Sequence, residues 1–479
     1  MTTRKNISEV VSSFRDPSGF MFVDNGRLYR QVNVSYRDNY DALMASGLYD
    51  SLRGKDLIVS HEEARGVKSR ASENAYKILK PEIIPFISYP YEWCFGELKD
   101  AVLLTLEIQK EAMRFGMSLK DASAYNIQFK NGKPVLIDTL SFEKYKEGRP
   151  WVAYRQFCQH FLAPLALMSY VDVRLGELLR VHIDGIPLDL ASTLLPTRTR
   201  FSPSLFFHLH LHAKSYRYFL ASDNKNGNKN KARGSSSGGS KMSLASLTGL
   251  IENLESVIKK LSYKPEGTKW ADYYSFTNYS DAAMRAKEKL VSAFLDIGKP
   301  KMVWDLGAND GFFSRVSARK GMRTISFDSD AAAVEKNYMM CKKEKETNIL
   351  PLLMDLTNPS SGLGWTNVER MSLLSRGPAD TALALALIHH LAISNNLPFK
   401  SIAKFFSAIC DCLIIEFVPK DDSQVKKLLA VRDDIFHDYN ERAFEKEFGA
   451  YFKILRSEKI GDSKRSLYYM ERKRSLGAR

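Results

Sequence analysis

The clearest succession of apolar and polar segments in the chain lies between residues 301 and 328. An apolar run at residues 302–304 leads into a segment that carries two glycines, and apolar residues then recur with nearly helical spacing between residues 312 and 318. A second apolar run, residues 324–327, ends on Asp328. This order predicts a strand, a glycine-containing loop, a helix and a second strand. In such a βαβ unit the loop lies where a ligand can approach the backbone.

Three further apolar runs and two shorter strand-like segments follow the βαβ unit. They cover residues 349–355, 380–391, 412–419, 451–455 and 466–472. Short apolar runs that alternate with helical segments are typical of a largely parallel sheet. The C-terminal part of the chain is therefore predicted to be an α/β domain.

The loop of the βαβ unit has the spacing D-x-G-x-N-x-G, from Asp305 to Gly311. Gly307 and Gly311 let the backbone approach a ligand, and Asn309 tolerates a left-handed backbone better than most residues. Asp305 and Asp310 bracket the loop, and these acids favour a cationic ligand over a diphosphate. The pattern resembles motif I of class I S-adenosyl-L-methionine-dependent methyltransferases, whose usual form is D/E-x-G-x-G-x-G. An ordinary tight turn between strand and helix is the alternative interpretation.

The resemblance covers residues 270–472, because the later strands match further motifs of the same family in the same order. It implies an α/β fold with a Rossmann-like seven-stranded sheet, closed by an antiparallel pair, and S-adenosyl-L-methionine (SAM) as the cofactor. It also implies that Asp305 faces the methionine end of SAM, that Asp328 binds its ribose hydroxyls and that Asp355 lies beside its adenine amine.

A leading segment, residues 269–276, precedes the predicted Rossmann-like core. Class I enzymes often use such a segment as a lid over SAM, so Trp270, Tyr273 and Tyr274 are candidate lid residues. Tyr274 is accordingly predicted to contact the cofactor. Simple packing of these aromatic side chains is the alternative.

The fourth predicted strand runs into His389 and His390, in a segment that closely resembles motif IV of the family. Methyl transfer is an in-line displacement, so the protein mainly aligns donor and acceptor. An oxygen or amine acceptor can also need a base, and a histidine titrates near neutral pH. His389 or His390 is therefore the candidate base, and Glu416 is a weaker one. Alternatively, the two histidines only shape the pocket.

The N-terminal part of the chain mixes hairpin and helix signals. Asp24, Asn25 and Gly26 lie between apolar runs and predict a β-hairpin. Helices are expected at residues 41–52, 72–79 and 97–115, the last with apolar residues at helical spacing. This part is therefore predicted to be an α+β domain.

A D-x-x-x-x-N spacing, Asp121 to Asn126, precedes a second hairpin signal and a strand that ends at Asp138. In a kinase catalytic loop the first Asp takes the hydroxyl proton, while the Asn and the later Asp bind Mg²⁺. The segment weakly resembles aminoglycoside-phosphotransferase-like kinases. However, Lys120 replaces the usual His, and no glycine-rich loop is visible. A degenerate kinase-like fold and a coincidental spacing both remain open, and the three polar groups are expected to converge if the fold is kinase-like.

No metal site is predicted. His208, His210 and His212 would lie on one face of a strand and could gather a metal, but no further ligand set stands nearby. A surface or interface role is therefore expected for these histidines. The five cysteines are too few and too scattered for a disulfide framework.

Three segments are predicted from these patterns. Residues 1–220 form the α+β domain, which is expected to be a degenerate kinase-like domain, an acceptor-binding domain or a scaffold. Residues 221–243 are polar and rich in Gly and Ser, and are expected to form a flexible linker. Residues 244–479 form the methyltransferase domain.

The chain carries a net charge of +15, which raises the question of a nucleic-acid partner. The excess is spread along the chain without an aromatic-interleaved basic stripe, so a nucleic-acid partner is not favoured. No apolar run reaches the ~18 residues that a membrane helix needs, and the N-terminus lacks the apolar core of a signal peptide. A cytoplasmic location is expected.

Segments at both ends of the chain resemble bacterial nodulation-protein-like methyltransferases; they are residues 13–22, 28–33 and 463–472. The first functional hypothesis is a methyltransferase that acts on an oxygen or nitrogen of a small molecule or glycan. The second is an RNA or protein methyltransferase, which only the charge favours. The third is a bifunctional protein whose N-terminal domain binds nucleotide.

Overall fold

The computed structural model describes residues 7–69, 71–213, 242–266 and 280–473. It divides the chain into two compact units: residues 1–263 with 364–369, and residues 264–363 with 370–479. The candidate lid residues Trp270, Tyr273 and Tyr274 lie outside the described residues. The predicted linker does too, apart from its last two residues.

The first unit begins with a five-stranded antiparallel sheet in the order β1-β2-β3-β5-β4. Its strands are β1 (Ile7–Glu9), β2 (Gly19–Asp24), β3 (Arg27–Asn33), β4 (His61–Glu63) and β5 (Ala75–Pro81). Asn25 and Gly26 have φ values of 49° and 75°, so the predicted hairpin between β2 and β3 is confirmed. Helices α1 (Arg37–Ala45) and α2 (Leu48–Gly54) connect β3 to β4.

The rest of the first unit is mainly helical. Its helices are α3 (Phe95–Arg114), α4 (Tyr154–Phe157), α5 (Ala163–Tyr170), α6 (Leu178–Val181), α7 (Leu188–Leu194), α8 (Pro203–Leu205) and α9 (Leu244–Lys260). Two small antiparallel pairs follow α3: β6 (Met117–Leu119) with β9 (Phe142–Lys144), and β7 (Ile127–Lys130) with β8 (Lys133–Leu136). The unit is therefore an α+β structure.

Helix α9 lies in the first unit, whereas the sequence analysis assigned it to the methyltransferase domain. It packs against α3, where Lys110 Nζ lies 3.0 Å from Glu255 Oε2. Lys99 Nζ donates to the carbonyls of Lys259 and Leu261 at the C-terminal end of α9. Because these contacts hold α9 to the first unit, the boundary between the units falls after residue 263 and not at residue 244.

Two local predictions in this unit are wrong. The helix expected at residues 72–79 is a short 3₁₀ turn followed by strand β5, which pairs with both β3 and β4. The histidine segment expected as a strand is a π-helix, Phe206–Leu211. In both cases the apolar spacing allowed two conformations, and the surrounding structure decided between them.

The second unit contains a seven-stranded sheet in the order β12-β11-β10-β13-β14-β16-β15. Its strands are β10 (Met302–Leu306), β11 (Arg323–Asp328), β12 (Ile349–Leu353), β13 (Ala379–Ala384), β14 (Cys410–Phe417), β15 (Phe452–Lys459) and β16 (Ser466–Arg472). The first five strands are parallel, and β16 runs antiparallel to both β14 and β15. This is the Rossmann-like methyltransferase sheet that the sequence predicted.

Helices of the second unit separate the parallel strands. They are α10 (Asp281–Gly298), α11 (Phe312–Ala318), α12 (Ala331–Glu344), α13 (Leu373–Arg376), α14 (Phe399–Ile409), α15 (Ser423–Leu429) and α16 (Glu441–Gly449). Val291, Phe294 and Leu295 of α10 belong to one buried core with Val303 of β10 and Ile414 of β14. Helix α10 is thereby fixed to the sheet. The helices of the described ranges fall short, in length or apolar character, of what a bilayer crossing requires.

Candidate functional site

A cavity of about 380 Å³ opens at the carboxyl ends of the parallel strands in the second unit. Strand order reverses beside β10, since β11 lies on one side of it and β13 on the other. Ligands of open α/β sheets bind at such a switch point. The strand ends contribute Gly307, Ala308 and Asn309 after β10, Asp328 and Ser329 at the end of β11, Asp355 and Thr357 after β12, and Ala386, Leu387 and His390 after β13.

The glycine loop adopts a left-handed backbone at Gly307, Asn309 and Gly311, with φ values of 77°, 54° and 81°. Gly307 and Asn309 line the cavity, and a Cβ atom at residue 307 would meet Leu387 at 3.3 Å. Gly311 is not among the lining residues. A Cβ atom there would lie 2.3 Å from Asn337 Oδ1 of α12, so Gly311 permits close packing of the loop on that helix.

Asp305 and Asp328 both line the cavity and both have raised pKa values. Burial raises the pKa of Asp305 to about 7, although the Ser314 hydroxyl donates to Oδ2 at 2.6 Å. Burial likewise raises the pKa of Asp328 to about 6. Its carboxylate accepts from the backbone N–H groups of Asn309 at 2.8 Å and Asp330 at 2.9 Å. The second strand is thus tied directly to the glycine loop.

The remaining predicted cofactor contacts differ in their placement. Asp355 is exposed at the cavity, where its Oδ1 accepts from the backbone N–H and the hydroxyl of Thr357. Tyr274 lies outside the described residues. The structure therefore brings Asp305, Gly307, Asn309, Asp328 and Asp355 together at one cavity.

The two histidines have different environments. His390 is partly exposed and lines the cavity, whereas His389 is 2% exposed and is not among the lining residues. Their ring centroids are 4.1 Å apart. Burial lowers the pKa of His389 well below its usual value, and the charges of His390 and Arg465 act in the same direction. His390 is thus the histidine that lies at the cavity, while His389 packs beside it in the interior.

Glu416 and Lys287 form a buried ion pair behind the cavity. Lys287 Nζ lies 2.6 Å from Glu416 Oε2, and their side chains are 3% and 0% exposed. Arg465 also pairs with Glu416, at 3.0 Å, and Glu416 accepts from the backbone N–H of Ala386 at 2.9 Å. These bonds, and its absence from the cavity lining, make Glu416 unsuitable as a base.

Sequence reasoning missed Lys287, which lines the cavity from α10. A signal was present, because Lys287 falls four residues after Ala283 and four before Val291, on the buried face of the helix. A lysine on an apolar helix face is rarely fully buried unless it is paired. Its partner Glu416 is far away in sequence, so the pair could not be identified from the pattern alone.

The lining residues fit SAM, the cofactor that this fold implies. Glycine at residue 307 leaves the loop backbone open to a ligand, and Asp305 and Asp328 offer acceptors for ammonium and hydroxyl groups. Met284, Phe313, Leu385 and other apolar side chains line the remaining walls. A cavity of about 380 Å³ lies within the range of roughly 300–1,000 Å³ that is usual for small-molecule sites.

A second polar cluster lies in the first unit, where the predicted convergence of Asp121, Asn126 and Asp138 is confirmed. Asn126 bonds to the side chain of Asp121 and donates to Ser141 Oγ at 3.2 Å, and Ser141 Oγ donates to Asp138 Oδ2 at 2.5 Å. Burial, followed by the charge of Asp138, raises the pKa of Asp121. Arg30 of β3 pairs with Asp138 Oδ1 at 2.6 Å. Both oxygens of Asp138 are therefore bonded to protein groups.

The surface or interface role expected for the histidines is wrong for His208 and His210, which are buried in the π-helix. His208 bonds to Tyr154 at 2.7 Å and to Asn253 of α9 at 2.9 Å, while His210 bonds to Ser192 and Thr199. Because this segment is a π-helix and not a strand, His208 and His210 do not share a strand face as the sequence pattern predicted. Across the described ranges, no three His, Cys, Asp or Glu side chains form a group that could hold a metal ion.

Comparisons with known proteins cover both units. No protein-family model matches the chain. Over 465 residues it is 34% identical to the nodulation protein NoeA of Rhizobium meliloti (strain 1021), an alignment that spans 97% of this chain and 96% of NoeA. The similarity therefore extends through nearly the whole of both proteins.

The chain is also similar to several solved structures. Magnesium protoporphyrin IX methyltransferase (ChlM) from Synechocystis PCC 6803, with bound SAH, is 17% identical with a TM-score of 0.31, over 43% of this chain and 93% of that one. The PH0226 protein from Pyrococcus horikoshii OT3 is 16% identical with a TM-score of 0.30, over 43% and 100%. The bifunctional kinase-methyltransferase WbdD is 15% identical with a TM-score of 0.29, over 46% of each chain.

Proposed function

Because the chain belongs to the family of the nodulation protein NoeA, we propose for it a SAM-dependent methyltransferase activity directed at an oxygen or nitrogen of a small molecule or glycan. The observation that carries this proposal is the cavity at the switch point of the sheet. Its glycine loop and its two carboxyl groups of raised pKa are brought together by two adjacent strands, β10 and β11. These features suit a ligand with cationic and hydroxyl groups.

Each residue of the cavity has a separate role in such a transfer. SAM, when bound, supplies a methyl group activated by its sulfonium. Gly307 allows close backbone contact, Asp328 accepts from ribose hydroxyls, and Asp305 faces the ammonium of the methionine end. His390 lines this cavity and is the candidate base that takes a proton from the acceptor. Apolar walls keep water from the reacting atoms.

Binding tests the proposal most directly. Calorimetry on the full chain should show binding of SAM and of its demethylated product, S-adenosyl-L-homocysteine (SAH), and none of NAD. Binding of NAD without SAM would overturn the proposal. Incubation with methyl-labelled SAM and a panel of oligosaccharides and small hydroxyl or amine compounds then identifies the acceptor class by mass spectrometry.

An RNA or protein acceptor is the alternative that the net charge of +15 supports. RNA binding of this kind releases counterions, so its affinity would fall steeply as salt rises. Retention of RNA at physiological salt, together with label transfer to RNA, would favour this alternative over a small acceptor.

A nucleotide-binding role for the first unit is supported by the convergence of Asp121, Asn126 and Asp138. The bonds from Arg30 and Ser141 to Asp138 favour a scaffold or acceptor-binding role instead, because a Mg²⁺ ion needs carboxylate oxygens as ligands. Mg²⁺-dependent ATP turnover separates the two roles.

A further inference from the structure

The cavity combines acidic groups with a buried cation. Among the described residues that line it, Asp305, Asp328 and Asp355 carry carboxyl groups and Lys287 carries an amine that pairs with Glu416. Burial lowers the pKa of Lys287, and the charge of Glu416 opposes that shift. Asp305 and Lys287 are 2% and 3% exposed, and each acts electrostatically on the other. Two opposite charges at one end of a cavity match a ligand group that itself carries both charges.

The Lys287 side chain is held in a fixed position. Its Nζ atom lies 2.6 Å from Glu416 Oε2 and 4.7 Å from the centroid of the Phe313 ring, over which it stacks. Glu416 is itself fixed by Arg465, which pairs with Asp422 at 2.8 Å. A cation positioned before the ligand arrives loses little conformational entropy on binding.

We propose that Lys287 binds the carboxylate at the amino-acid end of the cofactor. This inference rests on the proposed function and extends it to a residue of α10. The amino-acid end of SAM or SAH carries an ammonium and a carboxylate on one carbon. Asp305 accepts from the ammonium, and Lys287 donates to the carboxylate. The pair Asp305–Lys287 thereby fixes which end of the ligand enters beneath the glycine loop.

A purely structural role is the competing explanation, since Lys287 also neutralises the buried Glu416. Ligands that differ at one end distinguish the two roles. SAH has the amino-acid end, whereas 5′-methylthioadenosine retains the adenosine and the sulfur without it. If Lys287 binds the carboxylate, its substitution weakens the binding of SAH only. If its role is structural, its substitution changes the shape of the cavity and weakens the binding of both ligands.

Calorimetry on the full chain should show that Lys287→Met weakens SAH binding by roughly 10- to 100-fold, as expected for one charge-assisted hydrogen bond. The affinity for 5′-methylthioadenosine should remain within about twofold of the wild-type value. Lys289→Met is the matched control, because Lys289 lies on the exposed face of the same helix. It should change neither affinity.

A second variant covers the case in which Lys287→Met does not fold. Lys287→Met combined with Glu416→Gln removes both charges of the pair and leaves Arg465 with Asp422. The same loss confined to SAH is expected. Equal weakening of both ligands, or no weakening of SAH, in whichever variant folds would overturn the inference. Failure of the wild-type chain to bind SAH would instead overturn the proposed function.

Discussion

At the scale of single residues, the carboxyl groups beneath the glycine loop couple ligand binding to pH. Burial raises the pKa of Asp305 to about 7 and that of Asp328 to about 6, so both are partly protonated in mildly acidic solution. A ligand that donates hydrogen bonds, and an ammonium group above all, binds their charged forms more tightly. The affinity for SAH should therefore rise between pH 5.5 and pH 7, by up to about tenfold per pH unit for each group below its pKa.

Calorimetry across this pH range measures the effect. Asp305→Asn should weaken binding and flatten the rise above pH 6, while the exposed-site variant Asp433→Asn should preserve the wild-type profile. A flat wild-type profile would show that neither carboxyl group changes its charge on binding.

The Asp305 carboxyl group should also affect stability, with a pH dependence opposite to that of binding. Because the folded-state pKa of Asp305 lies above its unfolded value, its contribution to stability is complete below about pH 3.8 and is lost as pH rises through about 7. Asp305→Asn removes this buried charge. We expect it to raise the free energy of unfolding at pH 8 by roughly 1–4 kcal/mol, and by less at pH 5, in urea denaturation. Equal effects at both pH values would contradict this explanation.

Substitution of each of the two adjacent histidines should have a different effect. His390 lines the cavity and His389 is buried, so His390→Ala should lower the transfer rate by roughly 10²- to 10⁴-fold with little change in SAH affinity. His389→Ala should instead lower the unfolding midpoint. Rates with the acceptor identified by label transfer, and thermal melts, measure the two effects. A normal rate in His390→Ala would leave the histidine with a role in shaping the pocket only.

At the scale of secondary structure elements, the sequence predicts the second unit well because its signals are local. Each parallel strand is a short apolar run with a candidate cofactor contact at or near its end. Asp328 is the last residue of β11, and Asp355 follows β12 by two positions. The first unit was harder to predict. Strand β5 forms because it pairs with β3, which lies more than 40 residues earlier, and its apolar spacing also fits a helix. Likewise, the Lys287–Glu416 pair joins two residues that lie more than 120 positions apart in the sequence.

Helix α9 offers a test of the boundary between the units. SAH should stabilise the unit that binds it by mass action, so calorimetric melting with SAH should raise one transition. Leu254 of α9 is fully buried in the first unit, and Leu254→Ala should destabilise that unit by about 2–5 kcal/mol. It should leave SAH affinity and the SAH-sensitive transition unchanged. The exposed neighbour Glu252→Ala is the matched control.

A shift of the SAH-sensitive transition in Leu254→Ala would show that α9 unfolds together with the second unit. The contacts from Lys99 and Lys110 to α9 argue against that outcome, because they attach both its C-terminal end and its middle turns to α3.

At the scale of the whole molecule, the remaining question is whether the first unit has chemistry of its own. Asp121, Asn126 and Asp138 converge as a kinase-like fold would require. However, Asp138 Oδ1 accepts from Arg30 and from the backbone N–H of Leu140, and Oδ2 accepts from Ser141. Both oxygens that could bind Mg²⁺ are already bonded to the protein, and Arg30 brings a positive charge to the position of the metal.

We therefore expect no Mg²⁺-dependent ATP turnover by the full chain, and no change in SAH affinity or methyl transfer for Asp121→Ala. A coupled assay for ADP release and calorimetry with ATP and Mg²⁺ measure the first expectation. Arg30→Met is the informative variant, because it removes the positive charge beside Asp138 and leaves Oδ1 with the bond from the Leu140 N–H. It should raise affinity for Mg²⁺ with ATP only if the cluster is a latent nucleotide site. ATP turnover by the wild-type chain that Asp138→Ala abolishes would show that Arg30 moves away from Asp138 when nucleotide binds, and that the protein is bifunctional.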